Sequence, residues 1–285
     1  MEAAIAGRID AALAEAGVRG RLALPGTVFP PVRFELAAAP RVLVASPRRV
    51  IERTRTQLLR PDLTVGAAAA LEAAMEAQDP ALSVLVVPSG GVAAYPAIVA
   101  EQDGYAGVVA AAAHEWAHHY LTFYTLGLHY FDSADSTTIN ETVADLVGSE
   151  VAAAVLARWG DPTATAAPAA PPATVDANAV LRDLRHEVDG LLARGQVAQA
   201  EARMELVRQQ LAAAGVHIRR INQAYFAWYG TYAARADAVD PLGGQLRELR
   251  ERAGSLAAFL DRVRGITSRA DVERQLAALR AQDGG

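Results

Sequence analysis

The 285-residue chain contains no cysteine, which removes disulfide cross-links and thiolate metal ligands from consideration together. Zero cysteine suits a reducing compartment and an extracytoplasmic bacterial one equally, so it does not choose between them. Lysine is absent as well, so all 27 basic residues are arginine. They are scattered along the chain and form no dedicated anion-binding run. Acidic residues outnumber them at 32, giving a formal net charge of −5 and a pI near 5.7, which argues against a nucleic-acid partner. Long apolar runs are missing too. The longest, Gly107 to Ala113, falls far short of the roughly 20 residues a membrane span requires. The first residues alternate charge and apolarity like an amphipathic helix, without a basic leader region or a cleavage site.

A hydrophobic share of 52% against 21% charged marks a globular chain with a buried core, not a disordered one. Alanine supplies much of that share, which favours helices. Residues 1–17 read as a helix closed by Gly17 and Gly20. Arg41 to Ser46 is a short β-branched strand, and Ser46-Pro47 offers a helix cap with proline at the first helical position. On that basis 48–59 and 63–78 are expected to be helices. Ser83 to Ala100 reads as two extended runs around Ser89-Gly90-Gly91, a hairpin or bent strand pair. Helices are expected over 105–123 and from about Ser136 to Trp159. Asp161 to Ala173 is rich in proline and alanine and reads as a linker or loop. Val175 to Leu192 and Gln196 to Ala213 read as an antiparallel helix pair, and the chain from Val216 as helical with breaks at 241–244 and Gly265. The divisions expected are a lobe over 1–160, a linker over 161–174 and a helical C-terminal lobe over 175–285, the two lobes serving one site.

The chemistry concentrates at His114-Glu115-Trp116-Ala117-His118, an HExxH sequence inside a helical stretch. Residues four apart share a helix face, so both imidazoles can hold one Zn²⁺ while Glu115 lies beside them to take a proton from a water. A metzincin would continue with Gly at 121 and His at 124; Leu121 and Tyr124 exclude that pattern. The remaining source of a third ligand is a carboxylate on a later helix. Ile139 to Asp145 supplies one: Glu141 and Asp145 share a face, so Glu141 can reach the metal while Asp145 accepts the far N–H of a ligand histidine. Gly148, further along that face, would let the two helices approach closely.

His114, Glu115 and His118 followed by Asn140-Glu141 and Asp145 resemble the gluzincins, the thermolysin-like zinc peptidases, whose pattern is HExxH and then a helix with NExxxD. The resemblance covers about 35 residues; the tail segment Ile221 to Tyr225 is more distantly similar to a group of bacterial proteins regarded as aminopeptidases in that clan. It implies one zinc ion on His114, His118 and Glu141, Glu115 as general base, and Asn140 and Asp145 supporting the ligands. It also implies an α+β, predominantly helical, zincin-like metallopeptidase fold with a small sheet and a helical C-terminal lobe. An edge strand upstream of the HExxH helix should line the cleft and pair with the peptide or protein substrate, which places Ala93, Ala94 and Tyr95 in substrate binding. Gluzincins use a further Tyr or His to stabilise the oxyanion. Tyr120, Tyr124, His129, Tyr130, Tyr225, Tyr229 and Tyr232 are all available, and Tyr225 is favoured because Asn222 and Gln223 beside it are polar without an evident structural task. An aminopeptidase would further need a carboxylate for the substrate's ammonium group, for which Glu101 and Glu150 are candidates. The alternative is a zinc-stabilised helical interaction protein without turnover.

Overall fold

A computed structural model describes residues 1–19, 27–101, 104–164 and 175–283. Gly20 and the part of the expected linker from 165 to 174 lie outside the described residues. In chain order the elements are α1 (Glu2–Glu15), β1 (Phe34–Leu36), β2 (Arg41–Pro47), β3 (Arg55–Leu59), α2 (Val65–Gln78), β4 (Leu82–Pro88), β5 (Gly91–Val92), β6 (Ala97–Val99), α3 (Gly104–Leu121), α4 (Thr125–Leu128) and α5 (Ala134–Trp159). Then follow α6 (Ala177–Ala193), α7 (Val197–Ala213), α8 (Gln223–Tyr229), α9 (Pro241–Arg252), α10 (Leu256–Val263) and α11 (Arg269–Asp283). The chain is α+β and predominantly helical, and no helix among the described residues is long and apolar enough to cross a membrane.

The strands form two three-stranded sheets rather than one. In the first, β6 lies between β1, parallel to it, and β5, antiparallel to it. In the second, β2 is central, with β3 and β4 antiparallel on either side. Two expectations change here. Residues 55–59 are an edge strand, not helix: Ser46 is fully buried and its hydroxyl, donating to Val50 O and accepting from Glu52 N, closes a turn instead of capping a helix. The exposed Arg55, Thr56 and Gln57 of β3 have the solvated character of an edge strand, and their backbone pairs with β2. The second change is at Ser89-Gly90. β4 and β5 are not two arms of a hairpin, because the chain passes there from one sheet to the other.

Burial sets the wider plan. One core cluster gathers α1, α3, α5 and β6 with Leu246, Phe259, Val272 and their neighbours from α9, α10 and α11. A second joins one face of β2 and β4 to the α6–α7 pair and to Ala224, Tyr225 and Phe226 of α8. A boundary at 160–175 therefore does not separate the cores, since the last three helices return to the N-terminal one. Pro241 also begins α9 at its first position, with Asp240 as cap, where a break was expected.

The second sheet is locked to the C-terminal half by Glu72 of α2, 2% exposed. Its carboxylate accepts from Val86 N at 2.6 Å and from Arg219 at 2.9 and 2.5 Å. Removing it strands a sheet N–H and a half-buried guanidinium together. Glu72→Ala is expected to cost about 2–3 kcal/mol, seen as a lower urea midpoint with unchanged slope. Arg60→Ala, which breaks the exposed Arg60–Asp62 pair, should leave the midpoint where it was.

Candidate metal centre

α3 and α5 lie side by side, and Gly148 is why they can come so close. A Cβ there would stand 2.6 Å from Ala110 O and 3.2 Å from His114 Cβ. The buried Ala113, Ala117 and Ala144 keep the same seam thin. α5 starts cleanly because Ser133 and Ser136 form a reciprocal capping box. That start fixes which residues of α5 look at α3.

The facing residues are those the spacing pointed to. Asn140 Nδ2 donates to Leu126 O at 3.2 Å, which turns its Oδ1 to accept from His118 Nδ1 at 2.8 Å. His114 Nδ1 is 3.0 Å from Asp145 Oδ1. With each Nδ1 committed as a donor, both Nε2 atoms carry lone pairs, and they stand only 3.0 Å apart. Glu141 Oε2 completes a triangle at 3.5 Å from His114 Nε2 and 3.7 Å from His118 Nε2. Three lone-pair donors converging with their other sides already engaged call for a cation. A tetrahedral zinc with bonds of about 2.0–2.1 Å asks for ligand atoms roughly 3.3 Å apart, and the edges of 3.0, 3.5 and 3.7 Å bracket that spacing. The three residues form a group able to hold one metal ion, and two nitrogens with one carboxylate oxygen suit zinc.

The acids around the two histidines favour positive charge at the same point. Burial opposes charge on His114, but the hydrogen bonds to Asp145 and Glu141 overcome it and hold its pKa well above the ordinary imidazole value. Burial likewise opposes charge on Glu141, and His118 and His114 outweigh it, holding that carboxylate well below its usual range. Glu115 is different: burial raises its pKa, with the two histidines only partly offsetting it. It sits beneath β5, where a Cβ on Gly91 would come within 2.5 Å of Glu115 Oε1 and 2.8 Å of Ile98 O.

Two tyrosines stand at the centre, and Tyr225 is not one of them. Tyr225 belongs to the second core cluster, stacked on Tyr229 at 4.6 Å and against Phe226. The polar neighbours that made it attractive have structural tasks: Asn222 caps α8, and Gln223 donates to Arg48 O. Gly230 ends the helix, so Tyr232 leaves the stripe it seemed to share with Tyr225 and Tyr229. Ala233 N then donates to Thr142 Oγ1, one residue past Glu141, and this brings the Tyr232 ring to 6.4 Å from that of His114. Burial first, then Glu141, Tyr130 and Asp145, push the Tyr232 hydroxyl well above the ordinary phenol pKa. Tyr130 is pinned by Thr137, whose hydroxyl donates to Tyr130 O, and its own hydroxyl donates to Glu141 Oε1. The helix stop at Gly230 was the signal that could have separated Tyr232 from its neighbours.

The 93–95 segment borders the same helix. His119 donates from Nε2 to Ala94 O at 2.6 Å and meets the Tyr95 ring edge-on at 5.2 Å, a bracing task its place next to the motif did not announce. Ala94 N donates back to Val92 O, so Ala94 stiffens the segment. Ala93 continues β5, an edge strand, and Tyr95 is exposed. Of the acidic candidates for an ammonium group, Glu150 is bound by Arg250 at 2.6 and 2.7 Å, and Glu101 is exposed. The chain matches no protein-family model, no curated protein and no solved structure.

If Asn140 and Asp145 aim the two imidazoles, Asn140→Ala and Asp145→Ala should each weaken zinc binding about 10- to 100-fold while the fold persists. Competition against a fluorescent chelator measures this. Unchanged affinity in both variants would remove these residues from the centre.

Proposed function

We propose that the chain is a zinc-dependent peptidase, built on a zincin-like fold and similar to the gluzincins, that hydrolyses peptide bonds in a peptide or protein substrate. The single observation behind this reading is the convergence of His114, His118 and Glu141 with Glu115 alongside, on two helices held at contact distance. When bound, zinc would act as a Lewis acid on the scissile carbonyl and make water acidic enough to attack near neutral pH.

The remaining work falls to the chain's own side chains. Glu115 takes a proton from the attacking water and returns it to the leaving amine. Its place under Gly91 holds it between the donor triangle and the edge of β5, where an extended peptide can add as a further strand. Tyr232, beside His114, donates its hydroxyl to the oxyanion, and buried surroundings strengthen that bond. Tyr130 occupies Oε1 of Glu141, leaving Oε2 as the atom turned to the histidines.

Two sets of variants test this assignment. Glu115→Gln should keep zinc and lose cleavage of a mixed peptide library by at least about 10³-fold; a metal-loaded variant that still cleaves would sink the reading. Tyr232→Phe should lower kcat about 10²- to 10³-fold with little change in KM, whereas Tyr225→Phe should behave like wild type. A separate prediction concerns Gly91→Ala. Its methyl group must displace the Glu115 carboxylate, so kcat should fall at least tenfold while zinc content by elemental analysis stays at one ion per chain.

A further inference from the structure

A cation stands two aromatic rings away from the donor triangle. Arg53 lies in the turn between β2 and β3, half-buried. Its guanidinium carbon is 5.9 Å from the centre of the Trp228 ring. Trp228 meets Tyr232 at 5.8 Å, and Tyr232 meets His114 at 6.4 Å. On its other side the guanidinium neighbours the Tyr130 hydroxyl, which donates to Glu141. Two separate lines of contact therefore bring Arg53 to the same place.

It combines this place with the lack of an acidic partner. Of the five other arginines that face aromatic rings, Arg158, Arg185, Arg235 and Arg264 are each neutralised by a carboxylate, from Glu15, Asp189, Asp237 and Asp261, and Arg8 donates to the hydroxyl of the Tyr105 ring it faces, away from the donor triangle. Arg53 meets the Trp228 ring and the Tyr130 hydroxyl, and no carboxylate among the described residues pairs with it. Glu141 and Asp145, the acids of the centre, are already taken by the histidines. A guanidinium braced on an indole is pre-organised, weakly hydrated and shaped to take a carboxylate through two parallel hydrogen bonds.

We propose that Arg53 is an anion subsite of the metal centre that binds a carboxylate of the peptide close to the scissile bond, first of all the free C-terminal carboxylate. The centre then selects short or C-terminal segments by their acid end. This rests on the peptidase reading above and refines it. Selection by an amine end has less support, because Glu150 is already bound to Arg250.

The test compares wild type, Arg53→Ala and Arg53→Lys on three matched sets of N-acetylated peptides: free C-terminus, C-terminal amide, and C-terminal amide with Glu after the scissile bond. Wild type should favour the free acids over the amides about 10- to 100-fold in kcat/KM. That ratio should collapse towards one in Arg53→Ala and survive in part in Arg53→Lys. If the Glu-containing amides carry the Arg53-dependent preference instead, the carboxylate comes from a side chain and the subsite stands. Ratios that Arg53→Ala leaves unmoved overturn the proposal.

A binding measurement keeps this separate from turnover. N-acetyl-Ala-Ala-Phe and its amide are titrated by calorimetry onto zinc-loaded Glu115→Gln protein, with and without Arg53→Ala. The acid should bind about tenfold tighter only where Arg53 is present. Equal binding refutes the subsite. An Arg53-dependent difference in a protein whose wild type cleaves nothing retains the subsite and removes the peptidase reading.

Discussion

The site depends on how closely α3 and α5 approach. His114 and His118 are adjacent on their helix by periodicity alone, but a third donor must come from another element, and its distance is set by what lies in the seam. Gly148 against Ala110 O leaves no room for a side chain, so the spacing is fixed by backbone contact rather than by adjustable rotamers. Every functional feature on α5 inherits that spacing. Glu141 and Asp145, one helix turn apart on a single stripe, and Asn140 beside them meet the two rings through three different atoms.

The electrostatic consequence is a set of donors with one open side. Each imidazole has its Nδ1 tied off, and Glu141 has its Oε1 tied off by Tyr130. Burying three such groups without a cation between them would leave lone pairs opposed at 3.0 Å, an arrangement that costs stability unless something positive fills it. The same logic separates Glu115 from Glu141. They are 26 residues apart in sequence and both lie against the histidines, yet His118 and His114 outweigh burial at Glu141 and lower its pKa, while burial prevails at Glu115 and raises it.

Much of this was legible in the sequence because it is helical and local. Four-residue spacings on α3 and α5 survive any tertiary context, and Gly148 could be read as a close-approach residue from its place on the same stripe. The rest was set by contacts that periodicity does not encode. The 48–59 stretch reads as helix because Ser46-Pro47 has the form of a helix cap; the buried Ser46 closes a turn instead, and pairing of 55–59 with β2 makes that part a strand. Tyr225, Tyr229 and Tyr232 look equivalent by spacing, and only the stop at Gly230 and the anchor from Ala233 to Thr142 turn the last one towards His114. A family resemblance fixed by 35 residues could not have resolved either point.

Those two misreadings meet at one place, and the meeting explains the division of labour in the molecule. The donor triangle is built wholly from helices of the first core, where packing is tight and side chains have little freedom. Trp228, with Tyr229 beside it, packs on the second core, and Arg53 in the β2–β3 turn lies against it. The donor triangle and Arg53 thus rest on different supports. A turn whose flanking strand is exposed tolerates substitution far better than a helix seam closed by glycine, so residues there can change without disturbing the donor triangle. Tyr232 and Tyr130 are the points where the two supports touch: Tyr232 lies between Trp228 and His114, and Tyr130 binds Glu141 on the side of Arg53.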